Sequence, residues 1–427
     1  MRKRLPLPGF RRTTQTGQRF GVAFALLLVA APLREVSPTA AFWTTPCILL
    51  ASILIAWGAE SAQFFVAQGF ALAILAWLQT LPEFAVEAVL AWHQQRELLL
   101  ANLTGALRLL IGLAWPIIYA TAAYFHRKRT GSPMRRISLD PNHSIEVIGL
   151  ILPLLYALVI WWKSNLHVYD AVVLTAMYAA YLYLLTKLPP EGNEAIEDLE
   201  IIPRAIVTAP RLIRIAAIGG CFAAGGLLIY FTAEPFLGSL IAVAAAIGVP
   251  SFILVQWLAP VISEFPELAS TFYFARQEER ASMALMNITS SNINQWTLLV
   301  GMLPIVYSMG GGAITGIPLD PEQERELLLT IGQSMVGLVF LLNMTFEWWE
   351  ALLLFVLYMT QVAFATAGAN TGLWSYLGLH VRFWVTILYF AWVGIAVIMM
   401  IVRRKRPEAL SCFVETWRHH IRPTAAR

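Results

Sequence analysis

The sequence predicts an all-α polytopic membrane protein, two inverted five-helix repeats with a flanking helix at each end and about 12 spans in all. Three observations carry that prediction. Hydrophobic residues make up 58% of the 427 and charged residues 13%, against about 25% charged in soluble domains. Apolar runs of roughly 20 residues, each long enough to cross a bilayer, recur along nearly the whole length and leave no stretch for a separate soluble domain. Finally, one pattern occurs twice. Thr80-Leu81-Pro82-Glu83-Phe84 is followed by Asn102-Leu103-Thr104-Gly105, and Glu264-Phe265-Pro266-Glu267-Leu268 by Asn287-Ile288-Thr289-Ser290. Pro82 to Asn102 is 20 positions and Pro266 to Asn287 is 21; Pro116-Ile117-Ile118-Tyr119 and Pro304-Ile305-Val306-Tyr307 continue the echo.

In order, the candidate spans are 20–34, 41–66, 69–92, 98–125, 145–162, 168–187, 211–231, 236–275, 281–308, 326–345, 348–368 and 374–402. The run 236–275 is too long for one straight helix and is read as a segment to about 258 joined to a piece carrying Pro260 and Pro266. The organisation is then a basic tail and short helix (1–40), a first repeat (41–187), a linker (188–210) with five acids between Glu191 and Glu200, a second repeat (211–368), and an extra helix with a basic tail (369–427). The first run, with Arg11-Arg12 before it and small residues near Ala40, is read as a retained helix, although a cleaved leader has the same pattern.

Lys and Arg orient the chain. The N-terminal tail, the loop Arg127 to Arg136, the short loop with Arg276 and Arg280, and the tail opening at Arg403 all fall on one side when twelve spans are threaded, the cytoplasmic one. The loop 309–325, with Asp320, Glu322 and Glu324, falls on the other. Under this threading 41–66 runs inward and 211–231 outward, which makes the halves inverted repeats. Both termini are therefore expected to be cytoplasmic. The net charge of +4 is carried by short loops and tails, so it is no nucleic-acid signal. The scattered Cys47, Cys221 and Cys412 suggest neither a metal site nor a disulfide framework.

Each copy of the repeated pattern sets a proline and a carboxylate inside an apolar stretch. An ionisable group there is costly and marks a functional site, and duplicated broken helices mark a transporter's binding site. Proline removes a backbone donor, and in lipid the released groups need protein, water or an ion. Two such breaks face to face would offer two carboxylates and neutral oxygens, the environment hard cations such as Ca²⁺ prefer.

These motifs resemble the alpha repeats of the calcium/cation antiporter superfamily, the sodium/calcium exchanger membrane region, over roughly 41–187 and 211–368. The second copy, with Pro266-Glu267 and then Ser290-Ser291-Asn292, Asn294 and Gln295, is similar except for an extra acid, Glu264, where the family usually has Ser or Thr; the first is degenerate, with Ala106-Leu107, followed by Arg108, where the family has Ser-Asn, and Leu110 at a later asparagine position. The resemblance implies that Glu83 and Glu267 are the central ion-binding acids, with Asn287, Ser291 and Asn292 helping to ligate. Glu264, one helical turn from Glu267, and Glu87 and Asn102 in the first copy complete the candidate ligand set. Arg108 would be costly in lipid unless paired; an acid such as Glu87 could pair with it, Glu264 could balance it from across the site, or it stands where a transported cation stands elsewhere in the family.

The implied function is a secondary active antiporter moving Ca²⁺ or a similar cation against Na⁺ or H⁺ by alternating access. Alternatives are a proton-coupled exchanger of altered selectivity, with Glu264, Glu267 or Glu87 carrying protons, and a relative that no longer transports. No motif nominates an enzyme, and no phosphate-binding loop is present. No resident cofactor is expected; the partners are inorganic cations and the lipid bilayer, with no nucleic acid and no obligate protein partner.

Overall fold

The computed structural model describes residues 36–62, 64–65, 80–188, 199, 201–277, 280–365, 373–403 and 407–421. The expected helix at 20–34, the start of the third span (69–79) and the acidic stretch of the linker lie outside the described residues. The rest is almost wholly helical. α1 is Ala41–Ala62, α2 Leu81–Trp92 and α3 Arg96–Leu109; a π-turn, Leu110–Ala114, joins α3 to α4, Trp115–Thr130. α5 (Ser144–Gly149), α6 (Ile151–Trp162) and α7 (Val168–Leu185) close the first half. After α8, Ile201–Thr208, α9 runs from Arg211 to Ala246. α10 (Ser251–Trp257), α11 (Ala259–Ser263) and α12 (Phe265–Ala275) are three short pieces in a row. α13 (Ala281–Asn294), a π-turn Gln295–Leu299 and α14 (Val300–Gly311) repeat the construction of α3 and α4. α15 is Pro321–Leu341, α16 Trp348–Ala363, α17 Leu373–Arg403 and α18 Glu408–Thr416.

Among the described residues six helices are long and apolar enough to cross a membrane. Burial sorts them. In the stretch Arg96–Thr130, 83% of the apolar window is buried, against 17% in α9. The first is the centre of the molecule, and α9 turns most of its surface outward, as a lipid-facing helix does. α1 packs along α9 through small residues: a Cβ on Gly225 would stand 2.7 Å from Ile55 and 2.9 Å from the Ala51 carbonyl oxygen.

One boundary differs from the sequence reading. A break was expected near 232–235, where Glu234-Pro235 interrupts the apolar run. α9 instead continues through Pro235 for 36 residues, about 54 Å at the helical rise. The hydroxyls of Thr232 and Ser239 donate to the carbonyls of Leu228 and Pro235 on either side of the proline, and Glu234 stays largely exposed, 3.5 Å from His93. The chain turns at Gly248 and Pro250, where Gly248 adopts φ +71°, a conformation glycine takes without a Cβ penalty.

Two short antiparallel sheets link the halves. β1 (Arg136–Ser138) pairs with β4 (Thr345–Glu347), Ile137 opposite Phe346; β2 (Asn165–Leu166) pairs with β3 (Ile317–Pro318), Leu166 opposite Ile317. β1 and β2 lie at opposite ends of the α5–α6 stretch, and β3 and β4 at opposite ends of α15. The α3–α4 stretch therefore exits toward one sheet and its counterpart α13–α14 toward the other. The same pairing exposes a further echo, Ile137-Ser138-Leu139-Asp140-Pro141 against Ile317-Pro318-Leu319-Asp320-Pro321. In both, the aspartate side chain caps the helix that follows.

Candidate functional site

Both Pro-Glu pairs stand in the first turn of a helix, α2 and α12. Proline is suited to that position because its missing N–H would have no partner there. The carboxylates of Glu83 and Glu267 stand at the positive ends of short helices, and α12 follows α11 after the single residue Glu264, a broken run as expected of 236–275. Both side chains are buried, with 1% of each residue exposed.

The second repeat holds the first-repeat acid in place. Gln295, the first residue of the second π-turn, donates through its amide nitrogen to Glu83 Oε2 at 2.6 Å and also to Glu264. Its neighbour Asn294 donates to the hydroxyl of Thr80, the residue that opens α2, at 2.7 Å. Glu264 lies within electrostatic reach of Glu267. One amide nitrogen thus gathers acids from both halves, and a third acid adjoins them. Glu87, one turn beyond Glu83, accepts from Asn102 at 2.9 Å. Asn292 donates to the Leu107 carbonyl at 3.4 Å and Gln333 to the Arg108 carbonyl at 2.8 Å, just before the π-turn at 110–114. A π-turn widens the helix and releases carbonyls from their regular partners.

Several oxygens here are buried without a hydrogen-bond donor: Glu83 Oε1, Glu87 Oε2, Asn102 Oδ1, Glu264 Oε2, Ser291 Oγ, Asn292 Oδ1, Asn294 Oδ1 and Gln295 Oε1. Buried polar atoms without a partner are costly, and carboxylate, amide and hydroxyl oxygens are the donors hard cations use. Among the described residues no three His, Cys, Asp or Glu side chains close on one point, so the acids alone do not form a metal cage. Asn287 is half-buried on α13. Gln295 carries more of the site than its place beyond the Ser-Asn motif suggested.

Arg108 is where the structure departs furthest from expectation. It pairs neither with Glu87 nor with Glu264. Its guanidinium donates to Glu326 at 2.8 Å and to Gln361 at 3.1 Å, its Nε to the Thr104 carbonyl at 3.0 Å, and it stacks 5.0 Å above Trp257. Arg382 of α17 takes the other oxygen of Glu326 at 2.9 Å, and Gln256 donates to Glu326 at 2.8 Å. The physical reason is reach. Arg108 extends toward α10 and α15, where Trp257 and Glu326 lie, while Glu87 is bonded to Asn102. Glu326 had looked like the mere boundary of a span.

Packed helices around buried acids, bridged across two halves by amides, define an integral membrane protein of the ion-transporting kind. The sodium/calcium exchanger protein family model matches the chain twice, over 36–187 and 218–367, and the chain belongs to that family. Among curated proteins none matches. Among solved structures, the crystal structure of the H⁺/Ca²⁺ exchanger CAX is 30% identical and superposes with a TM-score of 0.81 over 94% of this chain and 98% of that one. The sodium-calcium exchanger NCX_Mj, 20% identical, matches 76% of this chain and 98% of its own at a TM-score of 0.52. YfkE, 12% identical, matches 80% and 97% at 0.56. The last two show the shared fold.

Proposed function

We propose that the protein exchanges Ca²⁺ against H⁺ across a prokaryotic plasma membrane by alternating access to one central site. The observation that carries the proposal is the convergence of Glu83 and Glu264, one from each repeat, on the amide of Gln295, with Glu267 adjoining. The similarity to CAX over nearly the whole chain supports the choice of ions. Protons are the natural counter-cargo where carboxylates outnumber the charges of one divalent ion. Proton and metal compete for the same oxygens, so binding of one releases the other.

Glu83, Glu267 and Glu264 would bind the cation, with Ser291, Asn292 and Asn287 completing its shell; Glu87, oriented by the amide of Asn102, would hold a proton beside it. The crossed sheet pairing supports two inverted five-helix repeats among 12 spans. The basic loops 127–136 and Arg276 to Arg280 then share the β1–β4 end, which would be the cytoplasmic one. α1 and α9, which pack along each other, would slide against the core to expose the site alternately. The energy comes from the ion gradient, without a resident cofactor.

Uptake of radioactive Ca²⁺ into everted membrane vesicles tests this. Uptake driven by a pH gradient, unaffected by a Na⁺ gradient and abolished by Glu267→Gln, is expected. Uptake that follows Na⁺ instead reassigns the coupling ion, and none under either gradient removes the Ca²⁺ assignment.

A further inference from the structure

The echo around β1 and β3 continues past the Asp-Pro. Five residues after Pro141 stands Glu146, and five after Pro321 stands Glu326. The two acids therefore occupy equivalent places in the repeats, one near each sheet and hence near opposite ends of the molecule. Their surroundings correspond residue by residue. Tyr181 beside Glu146 matches Gln361 beside Glu326, and Ile293, which packs near Gly149, matches Arg108 at the same spacing that relates Asn102 to Asn287.

Their charges do not correspond. Glu326 is clamped by Arg108 and Arg382 at 2.8 and 2.9 Å, which leaves the cluster with one net positive charge. Among the described residues no arginine pairs with Glu146. His143 approaches it at 3.8 Å, and Tyr181 lies within electrostatic reach. Glu146 thus faces one histidine where Glu326 faces two arginines. Glu146 Oε2 is buried without a donor, as is the hydroxyl of Ser144 two residues before it, and these residues are 8% and 0% exposed. Tyr181 hydrogen-bonds Ser290 at 2.8 Å, the residue next to Ser291 of the central site. A polar route thus leads from Glu146 toward the central acids. At the other end, Gln256 bridges Glu326 to Thr104, and the arginines close the equivalent route.

We propose that Glu146 receives the transported cation at the cytoplasmic end on its way to the central site, and that Arg108 and Arg382 withhold the equivalent acid, Glu326, from that role at the opposite end. The cation is a divalent metal ion, and the proposal rests on the exchange reading above. A negative group at one mouth raises the local cation concentration there, and a positive one lowers it. The exchanger then takes up its cation at lower concentrations from the cytoplasm than from outside, which suits a pump directed outward.

The test measures the apparent KM for Ca²⁺ at each face of the full-length protein, using everted and right-side-out vesicles. Glu146→Gln is expected to raise the KM at the cytoplasmic face by at least about threefold, leaving the KM at the other face and the maximal rate in place. Glu146→Asp should restore the wild-type value. Arg382→Gln, which keeps the Arg108–Glu326 pair, is expected to lower the KM at the outer face alone. An unchanged KM in Glu146→Gln, or an equal change at both faces, overturns the proposal, as does an unaltered outer KM in Arg382→Gln. If Arg382→Gln fails to reach the membrane, the two Glu146 variants decide. Wild-type exchange in the same vesicles separates failure of this inference from failure of the functional reading.

Discussion

The two halves share a scaffold and differ in what they put on it. Each supplies a Pro-Glu pair at a helix start, a long helix widened by a π-turn, and an aspartate-capped segment after a short strand. At the π-turns the second half places Asn294 and Gln295, whose amides hold Thr80 and Glu83. The first half has Leu109 and Leu110 at those positions, and its polar investment goes into Arg108. Duplication fixed the geometry, and the side chains then divided the labour: the second repeat grips the acids, while the first carries a fixed charge facing away from them.

Substitutions that make one half imitate the other sharpen that contrast. The largest effect belongs to the shared acids. Glu83→Gln is expected to abolish vesicle uptake as Glu267→Gln does, because a neutral amide removes the charge on which both cargoes compete; residual exchange above background in Glu83→Gln would show that the halves are unequal even here. Gln295→Leu copies Leu110 into the second half. It leaves Glu83 and Glu264 without their shared donor and should weaken cation binding by roughly 10–100-fold, the range for loss of a group that orients metal ligands, read as an increase in KM for Ca²⁺. Arg108→Ile copies Ile293 into the first half. Removing one partner of a buried pair costs about 3–5 kcal/mol, so a clear drop in thermal midpoint in detergent is expected, partly relieved by adding Glu326→Gln. The smallest effect falls at the helix crossing. A Cβ at Gly105 would stand 1.9 Å from the Gln256 carbonyl oxygen, and Gly105→Ala should cost about 1–3 kcal/mol by forcing α3 and α10 apart, seen as a lower midpoint.

Much of this was legible in the chain. The apolar runs, the repeated Pro-Glu and the polar stretch from Thr289 to Thr297 are local signals, and each lies in the helix expected of it. What escaped was non-local. Arg108 and Glu326 are 218 positions apart, and nothing in the spacing of either points to the other. Glu146 and Glu326 were hidden by a change of register. The copies are offset by 184 at Pro82 and 185 at Asn102 but by 180 at Ile137, since the two connecting stretches differ in length. The turn at Gly248 was masked by Glu234-Pro235, whose position within α9 depends on an exposed acid and two hydroxyls folding back on the helix.

The crossed sheets also constrain how the protein is made. Each strand of the first half is completed by a strand of the second: β2 waits for residues 317–318 and β1 for 345–347. A ribosome that has released only the first half leaves both loops without partners, so the early half cannot finish folding as a domain of its own. Its final shape is reached late, when the chain is about four-fifths synthesised.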